Sequence, residues 1–224
     1  MNKLDCTLYL VTDRGLCRGR NMAHTVAEAM RGGVTVVQLR EKLLEDEEFL
    51  RSAVGLKELA DRWNIPLIIN DRLDIALACG AAGVHLGQDD TNCALARRIA
   101  GERMIVGVSV STVEEALKAE ADGADYLGVS PVFSTPTKPD TPAPAGLEGL
   151  RKIRGAVRLP LVGIGGINSG NAADVIGAGA DGVAVVSAIM AAQDPCRAAR
   201  ELREEVERGR RARTICGDTL QPEK

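Results

Sequence analysis

The feature that most restricts the fold is an alternation of short apolar runs with longer helix-like segments. The apolar runs are rich in β-branched residues, and they are continuous, without the polar and apolar alternation of a half-exposed strand. They therefore predict strands that are buried on both faces. The eight runs span residues 7–12, 34–39, 66–70, 83–87, 104–109, 125–130, 160–165 and 181–187.

The segments between the runs favour helices, since they are rich in Ala, Glu, Leu and Arg, as in TVAEAMRG and TVEEALKAEADG. Several of them end in glycine and lead into the next run within a few residues, as at 32–34 and 179–183. Such short returns make consecutive strands parallel. Eight β/α units in 224 residues predict an α/β protein with a single (β/α)8 barrel of the TIM type. A doubly wound open sheet, which usually has fewer strands, is the alternative.

We expect the barrel to form one catalytic domain over residues 1–209, since 45% of the chain is hydrophobic and can bury a sizeable core. The last segment, residues 210–224, contains Arg210, Arg211 and Arg213, and we expect it to be a flexible C-terminal tail.

Composition excludes several classes of function. A net charge of -3 and an aromatic content of 2% argue against nucleic-acid binding. Glycines interrupt the apolar stretches well below the roughly 20 residues of a membrane span, and residues 1–12 do not resemble a signal peptide. Six cysteines without a CxxC pair indicate reduced thiols rather than a zinc site. We therefore predict a cytoplasmic protein.

In a barrel of this type the active site lies where the strands lead into the helices, so residues just after each strand carry the function. Arg40 and Lys42 are two positions apart and point the same way on an extended segment. Lys138 lies in the proline-rich stretch SPVFSTPTKPD (130–140), which can be neither helix nor central strand. Three cationic side chains supply more positive charge than a single phosphate group needs for binding.

Two loops suggest a separate phosphate site. GIGGIN (163–168) follows the seventh strand and is expected to enter a helix at Asn168 or Ser169, while VVSAIM (185–190) places Ser187 at another helix start. Backbone amides at such positions attract anions, and these two loops are the usual phosphate site of the fold. The alternative is a tight turn that only lets the helix pack on the strand.

Asp71 and Asp90 follow the third and fourth strands, which are neighbours in a barrel. Beside a cationic pocket, two carboxylates suit Mg²⁺ that bridges a diphosphate, although each aspartate has an alternative role as a helix N-cap. His85 falls inside the fourth strand and is not favoured as a general base. Ser109 has no nearby histidine in the sequence and no nucleophile signature.

These motifs, in order and spacing, resemble the thiamine-phosphate synthase family from about Tyr9 to Ile189. The matching segments are QLREK, IINDR, GVHLGQDD, GVSVST, PVFSTPTKPD, GIGGI and VVSAI. The resemblance implies a (β/α)8 barrel that uses Mg²⁺ to join 4-amino-2-methyl-5-hydroxymethylpyrimidine diphosphate to a thiazole phosphate, giving thiamine phosphate and diphosphate.

The resemblance also implies a role for each matching residue. The diphosphate would be held by Arg40, Lys42, Asn70 and Lys138. The Mg²⁺ would be held by Asp71 and Asp90. Gln38 and Ser109 would lie at the pyrimidine, and the catalytic set would be Arg40, Lys42, Lys138 and Ser109. The thiazole phosphate would be held by Thr135, Thr137, Gly166, Val186 and Ser187. One departure is Ser130, where the family usually has glycine.

The inventory of charged residues favours a mechanism that rests on the departure of diphosphate. With the substrates that the resemblance implies, this departure would give a pyrimidine methylene cation that the thiazole nitrogen captures. Two alternatives are a thiazole tautomerase-like isomerase, which needs an acid or base but no metal carboxylates, and a non-catalytic phosphate-sensing barrel. The partners are then small molecules, and a homo-oligomer is possible.

Overall fold

Eight parallel strands close into a barrel in the computed structural model, which describes residues 4–135 and 143–218. The order around the barrel follows the chain, and β1 pairs with β8 to close it. The strands are β1 (Leu8–Val11), β2 (Val36–Leu39), β3 (Leu67–Asn70), β4 (Gly83–Leu86), β5 (Ile105–Val110), β6 (Tyr126–Val129), β7 (Leu161–Ile164) and β8 (Gly182–Val185). The predicted (β/α)8 barrel is confirmed. Seven of the eight predicted strands contain one of these segments, and the fifth, residues 104–109, covers all of β5 except Val110.

Helices follow the strands, with a second helix after β8. They are α1 (Met22–Arg31), α2 (Asp46–Arg62), α3 (Leu73–Ala78), α4 (Cys93–Ala100), α5 (Val113–Ala121), α6 (Gly146–Ala156), α7 (Ala172–Gly177), α8 (Ser187–Met190) and α9 (Pro195–Asp218). Within the described ranges, no helix has the length and apolar character needed to cross a membrane.

Alternate residues of each strand pack into two different layers, which explains why the strands are apolar throughout. On β1, Leu8 and Leu10 belong to the large cluster between the strands and the helices. Tyr9 and Val11 belong to a smaller cluster inside the barrel. Because both faces of a strand are buried, a polar position within a strand stands out as a departure from the packing pattern.

A glycine on β5 makes room for one of the two tyrosine side chains inside the barrel. Gly107 pairs with Tyr126 across the β5–β6 ladder. A Cβ atom at position 107 would lie 2.1 Å from Cζ of Tyr126, which no packing can accommodate. The missing side chain therefore lets a fully buried tyrosine ring occupy the barrel interior.

The expected tail boundary at residue 210 is not where the last helix ends, because α9 continues to Asp218. Arg210 donates hydrogen bonds to Oγ1 of Thr7 (2.8 Å) and to the carbonyl oxygen of Asp181 (2.7 Å). Arg213 donates to the carbonyl oxygen of Ala180 at 3.0 Å. Arg210 and Arg213, which suggested a solvated end, instead attach α9 to the entry of β1 and to the loop before β8.

We predict that Arg210→Met lowers the free energy of unfolding by about 1 to 2 kcal/mol. The change removes the hydrogen bonds to Thr7 and Asp181 and the ion pair with Glu207 from a partly exposed side chain. Arg211→Met is the matched control: Arg211 is an exposed neighbour on the same helix, and its change should stay within about 0.5 kcal/mol. Urea unfolding followed by circular dichroism measures both. Equal stability of the two variants would contradict the attachment.

Candidate active site

A cavity of about 320 Å³ opens at the carboxyl end of the barrel strands, where the sequence predicts the site. Its wall comes from the ends of strands and from the loops that follow them. Among the predicted site residues, those that line it are Gln38, Arg40, Asn70, Ser109, Thr135, Gly166, Val186 and Ser187. The barrel thus brings Gln38 and Ser187, which are 149 positions apart in the chain, into one cavity wall.

Lys42, Asp71 and Asp90 form a charged group beside this cavity. Nζ of Lys42 makes an ion pair with Oδ2 of Asp71, and the two aspartate side chains are within hydrogen-bonding reach of each other. Asp71 follows Asn70 of the cavity wall and has a φ of 63°, in the left-handed region. Outside glycine this conformation is uncommon and is tolerated best by Asn and Asp. In Asp71 this left-handed backbone conformation occurs together with the ion pair between its side chain and Lys42.

The two carboxyl groups have opposite pKa shifts. Burial alone would raise the pKa of Asp71, but hydrogen bonds from Asp90 and Lys42 and the charge of the ammonium group lower it below its usual value. Burial and the hydrogen bond to Asp71 raise the pKa of Asp90. Two adjacent carboxylates with one ammonium group leave an excess of negative charge.

Neither aspartate caps a helix. The N-cap of α3 is Arg72, and α4 is capped by Asn92, whose side chain accepts from Ala94 N and Leu95 N. The Oδ2 atom of Asp90 instead accepts from the backbone N–H of Gly87 at 2.7 Å. The alternative role that the sequence left open is therefore wrong for both residues.

The donor set at Asp71 and Asp90 fits Mg²⁺. In the described part of the chain no three His, Cys, Asp or Glu residues cluster as a complete metal site. Mg²⁺ does not need one, since it commonly takes one or two carboxylates, water and substrate phosphate oxygens. The pair can therefore contribute to an Mg²⁺ site that a phosphorylated ligand completes.

Arg40 adds a cation to the cavity wall. Its backbone N–H donates to Oγ1 of Thr12 at 3.0 Å, which fixes the start of the loop after β2. Among the residues that the structure describes, no carboxylate pairs with its guanidinium group. A cation that lines a cavity without an internal counter-charge favours an anionic ligand.

The loop after β7 provides backbone groups at the opposite side of the cavity. Gly165 and Gly166 have φ values of 104° and 62°, which favour glycine. A Cβ atom at position 166 would also lie 2.7 Å from the carbonyl oxygen of Ser134. In residues 4–135 and 143–218, the N–H groups of Gly166 and Ser187 have no hydrogen-bond acceptor, so both remain able to bind an anion.

The helix after this loop begins later than predicted, at Ala172 rather than at Asn168 or Ser169. A turn held by asparagine side chains fills the interval, since Asn171 Oδ1 accepts from Asn168 N at 2.9 Å. Nδ2 of Asn171 also donates to the carbonyl oxygen of Gly166 at 3.0 Å. The candidate anion site after β7 is therefore a glycine turn and not a helix N-terminus, whereas Ser187 does begin α8.

Ser109 has a histidine partner, contrary to the expectation from the sequence. Nε2 of His85 lies 2.9 Å from Oγ of Ser109, because β4 and β5 are neighbours and both side chains face the barrel interior. His85, Tyr9 and Tyr126 line the cavity floor and were not predicted as site residues. Their signal is weak in a sequence, since each falls inside an apolar strand.

Thr137 and Lys138 lie outside the described residues. Thr135 lines the cavity from the start of the same loop, and so does Ser130 at the end of β6. The backbone N–H of Ser130 donates to the carbonyl oxygen of Val110 at 2.9 Å. Serine at this position therefore contributes to the cavity wall without interrupting the β5–β6 contact.

A glycine turn after β7, a serine at the start of the helix after β8 and a cationic wall together define a phosphate-binding (β/α)8 protein. Comparison with known proteins narrows this class. Residues 8–189 match the thiamine monophosphate synthase family. The chain belongs to that family.

Individual relatives agree with this assignment over most of the chain. The thiamine-phosphate synthase of Albidiferax ferrireducens is 57% identical over 88% of this chain and 90% of its own length. That of Chloroflexus aurantiacus is 56% identical over 89% of this chain and 92% of its own. The thiamine phosphate pyrophosphorylase structure from Pyrococcus furiosus superimposes with a TM-score of 0.84 at 42% identity, covering 92% of this chain and 98% of that chain.

We predict that Asp90→Asn stabilises the protein in the absence of divalent metal at pH 7. A carboxyl group whose pKa is raised by folding destabilises the fold above its unfolded pKa of about 3.9, and the cost grows as the pH rises through the folded pKa. Because the Asp90 carboxyl group is only partly buried and solvent screens its interactions, the gain should be below about 1 kcal/mol. It should fade towards pH 4.

Thermal unfolding in EDTA at pH 7 and pH 4 measures the effect, with exposed Asp89→Asn as the control for losing one negative charge in the same loop. A lower melting temperature for Asp90→Asn than for the unchanged protein at pH 7 would contradict the assigned repulsion between the two carboxyl groups.

Proposed function

We propose that this chain is a thiamine-phosphate synthase, a transferase that joins 4-amino-2-methyl-5-hydroxymethylpyrimidine diphosphate to thiazole phosphate and releases diphosphate. The observation that carries the proposal is one cavity with anion-binding groups at two opposite sides and an uncharged floor between them. Two phosphorylated substrates would occupy the two sides, and their reacting rings would meet over the floor. Family membership supports the same reaction.

The first side would hold the diphosphate. Arg40, Lys42 and Asn70 lie together at the ends of β2 and β3, and we assign Lys138 to the same group from the sequence. Cations placed around a leaving diphosphate stabilise the negative charge that grows as its bond to carbon breaks. Asp71 and Asp90 would hold Mg²⁺, whose charge would further assist this departure.

The second side would hold the thiazole phosphate. The N–H groups of Gly166 and Ser187 and the hydroxyl groups of Thr135 and Ser187 would bind its oxygen atoms, with Val186 and Thr137 completing the set. A phosphate fixed there leaves the thiazole ring to extend towards the floor. Holding the ring nitrogen in line with the breaking bond would convert a reaction between two molecules into capture within one complex.

Gln38 and Ser109 would position the pyrimidine on the floor. The departing diphosphate leaves a methylene cation that the electron-rich aminopyrimidine can carry, and the thiazole nitrogen then attacks it. No proton has to be removed before bond formation, so this route does not require a general base.

The contact between His85 and Ser109 does not favour nucleophilic catalysis. In a serine nucleophile the histidine is usually oriented by a third group, most often a carboxylate, on its other nitrogen. Here Nδ1 of His85 lies 2.9 Å from the hydroxyl group of Tyr126. A phenol does not supply the negative charge that stabilises an imidazolium ion, so the pair is better suited to binding.

The alternatives differ in measurable products. Incubating the protein with both substrates and Mg²⁺ should give equimolar thiamine phosphate and diphosphate, and omitting either substrate should abolish both products. A tautomerase would alter the thiazole without releasing diphosphate. A phosphate-sensing barrel would bind the ligands without turnover, and either result would overturn the proposal. Cytoplasmic location and a homo-oligomeric state stay as predictions.

We predict that Ser187→Ala raises the KM for thiazole phosphate by about 10- to 100-fold, corresponding to the 1.5 to 3 kcal/mol of a hydrogen bond to a charged group. The KM for the pyrimidine diphosphate should stay within about twofold. Ser169→Ala is the matched control, because Ser169 is exposed after the same glycine turn and does not line the cavity. A selective rise for the pyrimidine diphosphate would reverse the two anion sites.

We also predict that Asp71→Asn and Asp90→Asn each raise the Mg²⁺ concentration needed for half-maximal activity, because a neutral amide is a weaker ligand for this cation. Both should also lower kcat. Initial rates across an Mg²⁺ titration measure the effect, with Asp89→Asn again as the control. An unchanged Mg²⁺ requirement in both variants would exclude these residues as ligands.

A further inference from the structure

Five side chains form a continuous row of hydrogen bonds across the cavity floor. Nε2 of Gln38 lies 2.9 Å from Oη of Tyr9, which lies 2.7 Å from Oη of Tyr126. Oη of Tyr126 lies 2.9 Å from Nδ1 of His85, and Nε2 of His85 lies 2.9 Å from Oγ of Ser109. The row begins and ends at the two residues assigned to the pyrimidine.

The donor at one end fixes the direction of every bond in this row. Gln38 Nε2 can only donate, so Tyr9 accepts there. Tyr9 then donates its single proton to Tyr126, because a buried hydroxyl proton without an acceptor is costly. Tyr126 then donates its proton to Nδ1 of His85. A neutral imidazole with an unprotonated Nδ1 carries its proton on Nε2, which donates to Ser109. The hydroxyl proton of Ser109 is left to point into the cavity.

Both phenols keep their single proton at neutral pH. Burial raises the pKa of Tyr9 well above its ordinary value, although hydrogen bonds with Tyr126 and Gln38 partly offset this. Burial also raises the pKa of Tyr126, and the proximity of Tyr9 adds to the shift. At neutral pH each hydroxyl group therefore donates once.

Turning the Gln38 amide by half a revolution reverses the whole row. Oε1 would then accept from Tyr9, Tyr126 would donate to Tyr9, and His85 would carry its proton on Nδ1. Nε2 of His85 would accept the proton of Ser109. In the first arrangement Gln38 offers the acceptor Oε1 to a ligand, and Ser109 offers a proton. In the second arrangement Gln38 offers the donor Nε2, and the oxygen atom of Ser109 can only accept.

We propose that Tyr9, Tyr126 and His85 are positioning residues. Through them, whether Gln38 presents a donor or an acceptor to the ligand determines which of the two Ser109 presents, so that the floor always offers one acceptor and one donor. This inference rests on the proposed function for the identity of the ligand. An aminopyrimidine matches such a floor, because its amino group donates and its ring nitrogens accept. A pyrimidine with an oxo group in place of the amino group offers the opposite pattern.

The tautomer of His85 tests the inference directly, in ligand-free protein and independently of turnover. The chain has two histidines, and His24 is exposed on α1, so a His24→Gln background leaves one imidazole signal. Two-bond ¹H–¹⁵N correlation spectra distinguish protonated from unprotonated ring nitrogens. We expect Nε2 to be protonated and Nδ1 to be unprotonated.

Gln38→Glu should move this proton through the row, since hydrogen bonds join Gln38 to Tyr9, Tyr9 to Tyr126 and Tyr126 to His85. A carboxylate can only accept, so it forces the reversed arrangement and Nδ1 of His85 becomes protonated. The same change in a Tyr126→Phe background should leave the His85 tautomer as it is in Tyr126→Phe alone, because the row is broken. A Gln38→Glu protein that keeps Nδ1 unprotonated, or an equal effect in both backgrounds, would overturn the relay.

Substrate discrimination gives a second measurement that does not depend on the folding of Gln38→Glu. In the arrangement in which Gln38 donates to Tyr9, an oxo pyrimidine can be matched only after the whole row reverses. In Tyr126→Phe the Gln38 amide can turn alone, so the kcat/KM ratio for the amino over the oxo pyrimidine diphosphate should fall at least about tenfold. Ile68→Val is the control, since it removes one methyl group from the same interior cluster without altering a hydrogen bond. An unchanged ratio in Tyr126→Phe would contradict the coupling of Gln38 to Ser109 through the row. Absence of thiamine phosphate formation in the unchanged protein would instead overturn the proposed function, and the result on the His85 tautomer would still stand.

Discussion

Pairing between β1 and β8 is the interaction on which the rest of the structure depends. With all strands parallel, closure leaves no exposed sheet edge and brings the carboxyl ends of eight strands to one rim. Arg40 after β2 and Ser187 after β8 then line one cavity. The same closure encloses an interior just wide enough for side chains, in which Tyr9 and Tyr126 meet. Closure of the barrel therefore produces both the rim and the floor of the cavity.

The strands and the rim residues could be predicted because burial on both faces has a direct sequence signature. Continuous apolar runs identify the strands, and polar residues immediately after them must lie at the rim once the strands are parallel. Asp71 and Asp90 were found in this way, since strand order alone makes them neighbours. Their roles as caps could not be excluded without the helix starts, which depend on Arg72 and Asn92.

The floor could not be predicted from the sequence, because its residues sit inside strands and count there as core. Tyr9, Tyr126 and His85 become a row only through the ladder register and the space left by Gly107. The helix start after β7 was missed because asparagine side chains compete with helical hydrogen bonds. The extent of α9 does have a sequence signature, namely Glu and Arg three positions apart, as in Glu207 and Arg210.

The attachment of α9 has a consequence for how the chain is made. Thr7 and Arg210 are 203 positions apart, yet they are joined by a hydrogen bond beside the β1–β8 ladder. During synthesis β1 emerges first and has β2 as its only strand neighbour until β8 follows. Its other edge stays open through most of translation, when unpaired edges are prone to wrong pairing. Closure of the barrel and the contact of α9 beside the β1–β8 ladder are therefore completed together, when α9 leaves the ribosome.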